Sequence, residues 1–158
     1  MCSACTADTI SVLTAADSVS VAVDSPIRVV LDSRDVRLPL RVAGDDVVFS
    51  DLDRAVERAL EARLEPSRDS VRRRGARPLE VFVELVQARA ELGDGRLNVE
   101  LTARATLRER AGLYLAQTHA RTNTAGVVTS AHGVFLVRQA ADALAGKIAD
   151  FVGASMPP

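Results

Sequence analysis

The stretch PLEVFVELVQARAELGDGRLNVELTARATLRER, Pro78 to Arg110, decides the fold. In its first half Leu79, Val81, Val83 and Leu85 share one parity, with Glu80, Phe82, Glu84 and Val86 on the other. In its second half Leu97, Val99, Leu101, Ala103, Ala105 and Leu107 alternate with Asn98, Glu100, Thr102, Arg104, Thr106 and Arg108. A period of two puts one apolar and one polar face on each strand, the pattern of a sheet covered on one side only. Gly93-Asp94-Gly95 between the halves supplies a tight turn. The stretch therefore predicts two long antiparallel strands with one face to bury.

Downstream, a turn around Arg110-Ala111-Gly112 leads into GLYLAQTHART, which predicts a third strand over 112–122. The following NTAGVVTSAHG, rich in Thr, Gly, Ser and Ala, reads as a loop with a short extended piece at Val127-Val128. In VFLVRQAADALAGKIADFV, Val137, Ala141, Leu144, Ile148 and Phe151 or Val152 fall at helical spacing. Gly146 weakens that helix by up to about 1 kcal/mol relative to Ala without ending it. The expected tail is 154–158.

Upstream, residues 1–9 are small and polar and read as a flexible tether, ahead of one domain over 10–153. SVSVAVD, IRVVLD and VRLPLRV read as strands, with Pro39 at an edge or an irregular crossing because it lacks a ladder donor. Gly44-Asp45-Asp46 closes that part. In SDLDRAVERALEARL, Leu52, Val56, Ala59, Leu60 and Leu64 form one helical stripe, and Ser50 is the expected cap. Strands, helix, meander, helix, each with one apolar face, predict an α+β fold: two helices packed on one face of a mostly antiparallel sheet, a two-layer sandwich.

Composition narrows the function. A length of 158 residues with 47% apolar content suits one domain with a real core. The formal net charge of −1 provides no global field for nucleic acid, and the absence of Trp with only Tyr114, Phe49, Phe82, Phe135 and Phe151 leaves few aromatic platforms on which its bases could stack. No apolar run is long enough for a membrane-spanning helix. A lipid anchor is the one membrane attachment left to consider.

The candidate sites are two. Cys2 and Cys5, the two cysteines of the chain, form a C-x-x-C at the very start. A zinc site would need further ligands from the distant His119 and His132, and a redox pair would sit at a helix start rather than at a polar terminus. Incidental cysteines and a lipid attachment point remain, the latter because an anchor belongs at a flexible end ahead of a folded domain. The tether reading expects a leader ending before Cys2 or Cys5 in the native gene.

The second candidate is the basic run Arg68, Arg72, Arg73, Arg74 and Arg77, whose guanidiniums suit phosphate contacts of an anionic glycolipid or partner, or serve as a solvated loop. For catalysis, Asp32, Asp35, Asp45 and Asp46 sit at turns that explain them. His119 with Asp142 or Ser130 lacks a nucleophile elbow. No enzyme, metal or cofactor is expected.

The segments DLDRAVERALEARL, PLEVFVELVQARAELGDGRLNVELTARATLRERAG and RTNTAGVVTSAHGVFLVRQAADALAGKIADFV together resemble, over about residues 48–152, the small envelope lipoproteins of Gram-negative bacteria. The resemblance is to the lipopolysaccharide-assembly lipoprotein family of the outer-membrane translocon, or to the auxiliary lipoproteins of lipid-transport ABC systems. It implies a non-catalytic periplasmic domain, tethered to the outer membrane through a cysteine, that binds a β-barrel or lipid-transport complex, with the Arg68 to Arg77 loop meeting lipid A phosphates. The other reading is a cytosolic ligand-binding or scaffolding domain, dimeric through a sheet edge.

Overall fold

The computed structural model describes residues 8–12, 26–64, 78–128 and 130–156. Its frame is the meander of β5 (Leu79–Gly93), β6 (Arg96–Glu109) and β7 (Tyr114–Val127). At about 3.3 Å per residue such strands run on the order of 45 Å, more than twice the usual length. Both pairings are antiparallel, with Val81 opposite Leu107, Val99 opposite Thr124 and Ala103 opposite Ala120.

The outer edge of β5 is shared. β2 (Ile27–Asp32) pairs parallel with Leu79–Glu84, and β3 (Leu40–Ala43) pairs parallel with Ala90 and Glu91. Between the two, a bulge leaves Val86 out of register and 44% exposed. An extra residue reverses parity. Leu79, Val81, Val83 and Leu85 therefore face the core at odd positions, and buried Ala90 does so at an even one.

The sheet continues from β3 to antiparallel β4 (Val47–Ser50), and then to parallel β1 (Asp8–Ser11) at the far edge. Asp8 and Thr9, read from the sequence as part of the tether, thus open a strand. The expected strand over SVSVAVD lies outside the described residues. The Leu38–Pro39 bond is cis and stands just before β3, which begins only at Leu40. This is the irregular crossing that Pro39 implies.

Helix α1 (Leu52–Arg63) buries the expected stripe of Leu52, Val56, Ala59, Leu60 and Leu64. Its cap is not Ser50, which ends β4. Asp51 holds the N-cap position in a left-handed conformation, φ 61°, with no side-chain bond to the helix. Its carboxylate instead accepts the Ser50 and Ser11 hydroxyls, at 2.9 and 3.1 Å. Those two bonds hold the Asp51 carboxyl below the ordinary carboxylate range and tie β1 to the start of α1.

Helix α2 (Ser130–Ser155) lies across β6 and β7 and packs against α1, and both helices are on the same face of the sheet. The fold is the expected two-layer α+β sandwich. Ala140, Ala141, Ala145 and Ala149 on α2 and Ala103, Ala105 and Ala120 beneath are all buried, so small side chains on both layers bring the helix close to the sheet. The Arg63 guanidinium joins the helices, donating to Asp142 Oδ1 from Nε at 3.1 Å and to Oδ2 from Nη2 at 2.6 Å.

Two elements run longer than the sequence suggests. β7 extends through Asn123–Val127, read above as loop, and α2 starts at Ser130 and continues to Ser155. The physical reason lies in the helix above. The Thr122 and Thr124 hydroxyls donate to the α2 carbonyls of Ala140 and Leu136, at 3.3 and 3.1 Å, and a Cβ on Gly126 would stand 3.0 Å from Leu136 Cδ2. Small and hydroxylated residues are what a strand needs where a helix rests on it.

The other face of the sheet is a charge ladder open to solvent. Arg104 pairs with Glu84, Arg121 with Glu100, and Arg108 with Glu80 while lying over the Phe82 ring. Alternating opposite charges in cross-strand positions favour this register over a slipped one.

Candidate functional site

Both sets of residues proposed from sequence, Cys2 with Cys5 and the arginines 68, 72, 73, 74 and 77, lie outside the described residues, as does the side chain of His132. His119 is exposed on β7, opposite Arg104 in register. Asp142, considered above as its partner, is engaged by Arg63. Among the described residues no group of three or more His, Cys, Asp or Glu is placed to hold a metal ion, and no helix is long and apolar enough to cross a membrane.

Where the segments join the fold is defined. Parallel pairing sets Asp8 beside Val47, one residue past the Gly44–Asp46 turn. β3 and β5 are also parallel, so that turn stands at the end of β5 where Asp94-Gly95 reverses the chain. The cysteine-bearing residues therefore enter at the β5–β6 turn end. Pro78, which follows the arginine-bearing residues, accepts a bond from Arg110 N at the other end of the meander.

The β5–β6 turn end holds an apolar pocket of about 340 Å³, lined by Ile10, Val42, Val47, Phe49, Leu92, Leu97 and Val128, by Gly95 and Gly133, and by Asp45. Its size is at the small end of the range for ligand sites, roughly 300–1,000 Å³. Local chemistry shapes each wall. Asp94 and Gly95 both have positive φ, 51° and 72°, as a two-residue hairpin turn requires. The Gly95 carbonyl then accepts Val128 N at 3.1 Å, which seats the β7–α2 link over the turn.

Gly44 has φ 90°, and a Cβ there would stand 2.8 Å from Leu92 O, so only glycine lets the β3–β4 turn lie against β5. At the start of α2, a Cβ on Gly133 would meet Phe49 Cζ at 3.3 Å and Leu97 Cδ2 at 3.6 Å. Glycine there lets the start of α2 come close to the Phe49 ring as the pocket roof.

The wall formed by Ile10 is fastened. Val12 N donates to Ser50 O at 3.2 Å, and the Arg138 side chain of α2 donates from Nε to Val12 O at 2.8 Å. Asp45 lines the pocket, and Asp46 and Asp94 are exposed on the two neighbouring turns, with exposed Arg96 following Gly95. Asp45 Oδ1 accepts Asp46 N at 2.8 Å, and no ion pair engages these three carboxylates among the described residues. Beside the pocket, Val127 and Phe135 are 68% and 61% exposed. A half-open, mostly apolar pocket with a carboxylate at its mouth and an apolar flank can take up an apolar group next to a cation.

Sequence reasoning missed this pocket. Its lining comes from β1, β3, β4, β5, β6, the β7–α2 link and α2, and in each segment the residue reads as ordinary core or turn.

No family model and no curated protein matches the chain. Among solved structures, it is similar to an uncharacterized protein at TM-score 0.52 and 9% identity, over 83% of this chain and 94% of that one. A minor lipoprotein from Acinetobacter baumannii aligns at TM-score 0.45 and 13% identity, over 87% of this chain and 99% of that one. A hypothetical protein from Chlamydia trachomatis aligns at TM-score 0.45 and 8% identity, over 83% and 97%. The first of these likenesses speaks to the fold, and none of them to function.

Proposed function

We propose that this chain is a non-catalytic binding domain of the Gram-negative periplasm, held to the outer membrane by an acylated Cys2 or Cys5, which binds and assists a β-barrel or lipid-transport complex. The observation that carries the reading is the juxtaposition at one end of the sandwich: the cysteine-bearing residues join at Asp8, beside an apolar pocket with an acidic rim. Anchor and binding surface then face the same way. The Arg68, Arg72, Arg73, Arg74 and Arg77 run rejoins at the opposite end and is the contact for lipid A phosphates or for the partner.

The test is expression behind a lipoprotein leader with radiolabelled palmitate, comparing Cys2→Ala with Cys5→Ala. One substitution abolishes label and membrane fractionation and the other does not. Crosslinking from position 135 in the same cells then yields a discrete adduct with an envelope protein. A chain that takes no label and stays in the soluble fraction refutes the proposal.

A further inference from the structure

The pocket at the β5–β6 turn end has a lining that narrows what it can hold. Its space of about 340 Å³ is at the small end for a ligand site and is enough to admit an alkyl chain. The walls are aliphatic apart from Phe49, and the one ionisable side chain lining it is Asp45 at the mouth. Asp46 and Asp94 on the adjoining turns add two more carboxylates. That charge repels an anionic head group and favours an ammonium.

The position of the pocket says where such a chain comes from. From Cys2 to Asp8 are six residues, which span at most about 20 Å when extended. Asp8 is itself held, since β1 is paired with β4 and tied to α1 and α2 through Ser11 and the Val12 carbonyl. A lipid on Cys2 therefore keeps this end, with exposed Val127 and Phe135, within about 20 Å of the bilayer surface.

We propose that the pocket receives a single acyl chain from an amine-headed phospholipid of the bilayer, with the ammonium beside Asp45. The source of the chain rests on the anchored reading above; the pocket's chemistry does not.

The experiment is titration of the unacylated chain, below the micelle concentration, with lysophosphatidylethanolamine, lysophosphatidylglycerol of equal chain length, and phosphoethanolamine alone. Expected are saturable 1:1 binding of the first, binding of the second about three- to fivefold weaker, as befits an exposed charge, and none of the third. Gly133→Leu and Val128→Trp each fill the space and weaken binding at least tenfold, scored only in variants that keep a cooperative thermal transition. Asp45→Asn brings the two lysolipids closer together in affinity.

Undiminished binding in folded Gly133→Leu and Val128→Trp, or no saturable binding to the parent chain, overturns the proposal. The same titration on the acylated protein separates the sources. An open site there supports the bilayer lipid, and a site closed by the protein's own anchor overturns that assignment. Palmitate labelling reads the anchor and the titration reads the pocket, so each fails separately.

Discussion

Gly146 sits in the middle of a 26-residue helix, where Gly is about 0.8–1.0 kcal/mol worse than Ala. The structure decides whether that difference can be recovered. A Cβ at position 146 would lie 3.4 Å from Arg63 Nη1 and 3.5 Å from Cζ, ordinary van der Waals contact with the tip of a long side chain. Arg63 reaches Asp142 through Nε and Nη2, so the methyl meets the guanidinium edge that the ion pair leaves free. Little of the helix gain is lost.

Gly146→Ala is therefore expected to stabilise the domain by about 0.5–1 kcal/mol, which for a chain of this size is a Tm rise of about 2–3 °C. Urea denaturation monitored by circular dichroism measures it, with Arg63→Ala and the double variant closing a cycle. The coupling should stay below about 0.5 kcal/mol. If Gly146→Ala destabilises the parent but stabilises the Arg63→Ala background, glycine is there to make room for the guanidinium, and the reasoning fails.

Gly126→Ala has the opposite sign. Its Cβ would meet buried Leu136 at 3.0 and 3.2 Å, so crowding is expected to cost about 1–2 kcal/mol in the same denaturation assay. Leu101→Ala, at a fully buried position in the middle strand of the meander, should cost about 3–4 kcal/mol, and a loss under 1 kcal/mol would mean that α2 does not cover β6 there.

At Asp32 the bonds from Arg34 hold the carboxyl down at about 2. A depressed folded pKa contributes stability that is present above about pH 4 and lost as pH falls through 2. Arg34→Gln should return the Asp32 carboxyl toward 4 in an NMR titration, and the stability gap between variant and parent should close over the same pH interval. A variant that still titrates near 2 would assign the shift to another cause.

What could be read from the chain depended on whether a segment meets one neighbour or several. β6 pairs with strands on both sides and presents one face to the helices, so its alternation from Leu97 to Leu107 is unbroken and legible. α1 likewise shows its stripe. β7 is different because α2 crosses it closely, and the demand for small size at Gly126 and for hydroxyls at Thr122 and Thr124 overrides the apolar alternation by which a strand is recognised. Composition typical of a loop was in fact the composition of a contact.

The same logic explains the short strands and the pocket. β1 and β4 have four residues each, too few for a period to stand out, and they are extended because partners hold them. The switch from odd to even core positions in β5 is written in the order Leu85, Val86, Ala90, yet it becomes a bulge only when the unbroken alternation of β6 is laid beside it. Gly133 carries the clearest trace of the pocket. A glycine near the start of an amphipathic helix is costly unless something needs the close approach, and here the Phe49 and Leu97 side chains stand where a Cβ would point. Replacing it tests packing and ligand together: Gly133→Ala sets a helix gain of about 1 kcal/mol against a Cβ 3.3 Å from Phe49 Cζ, so stability should change by less than about 1 kcal/mol while the pocket narrows. Lysolipid affinity that falls while stability holds is the signature of a residue retained for binding, whereas stability that falls with affinity by more than about 1 kcal/mol would mark Gly133 as a packing requirement alone.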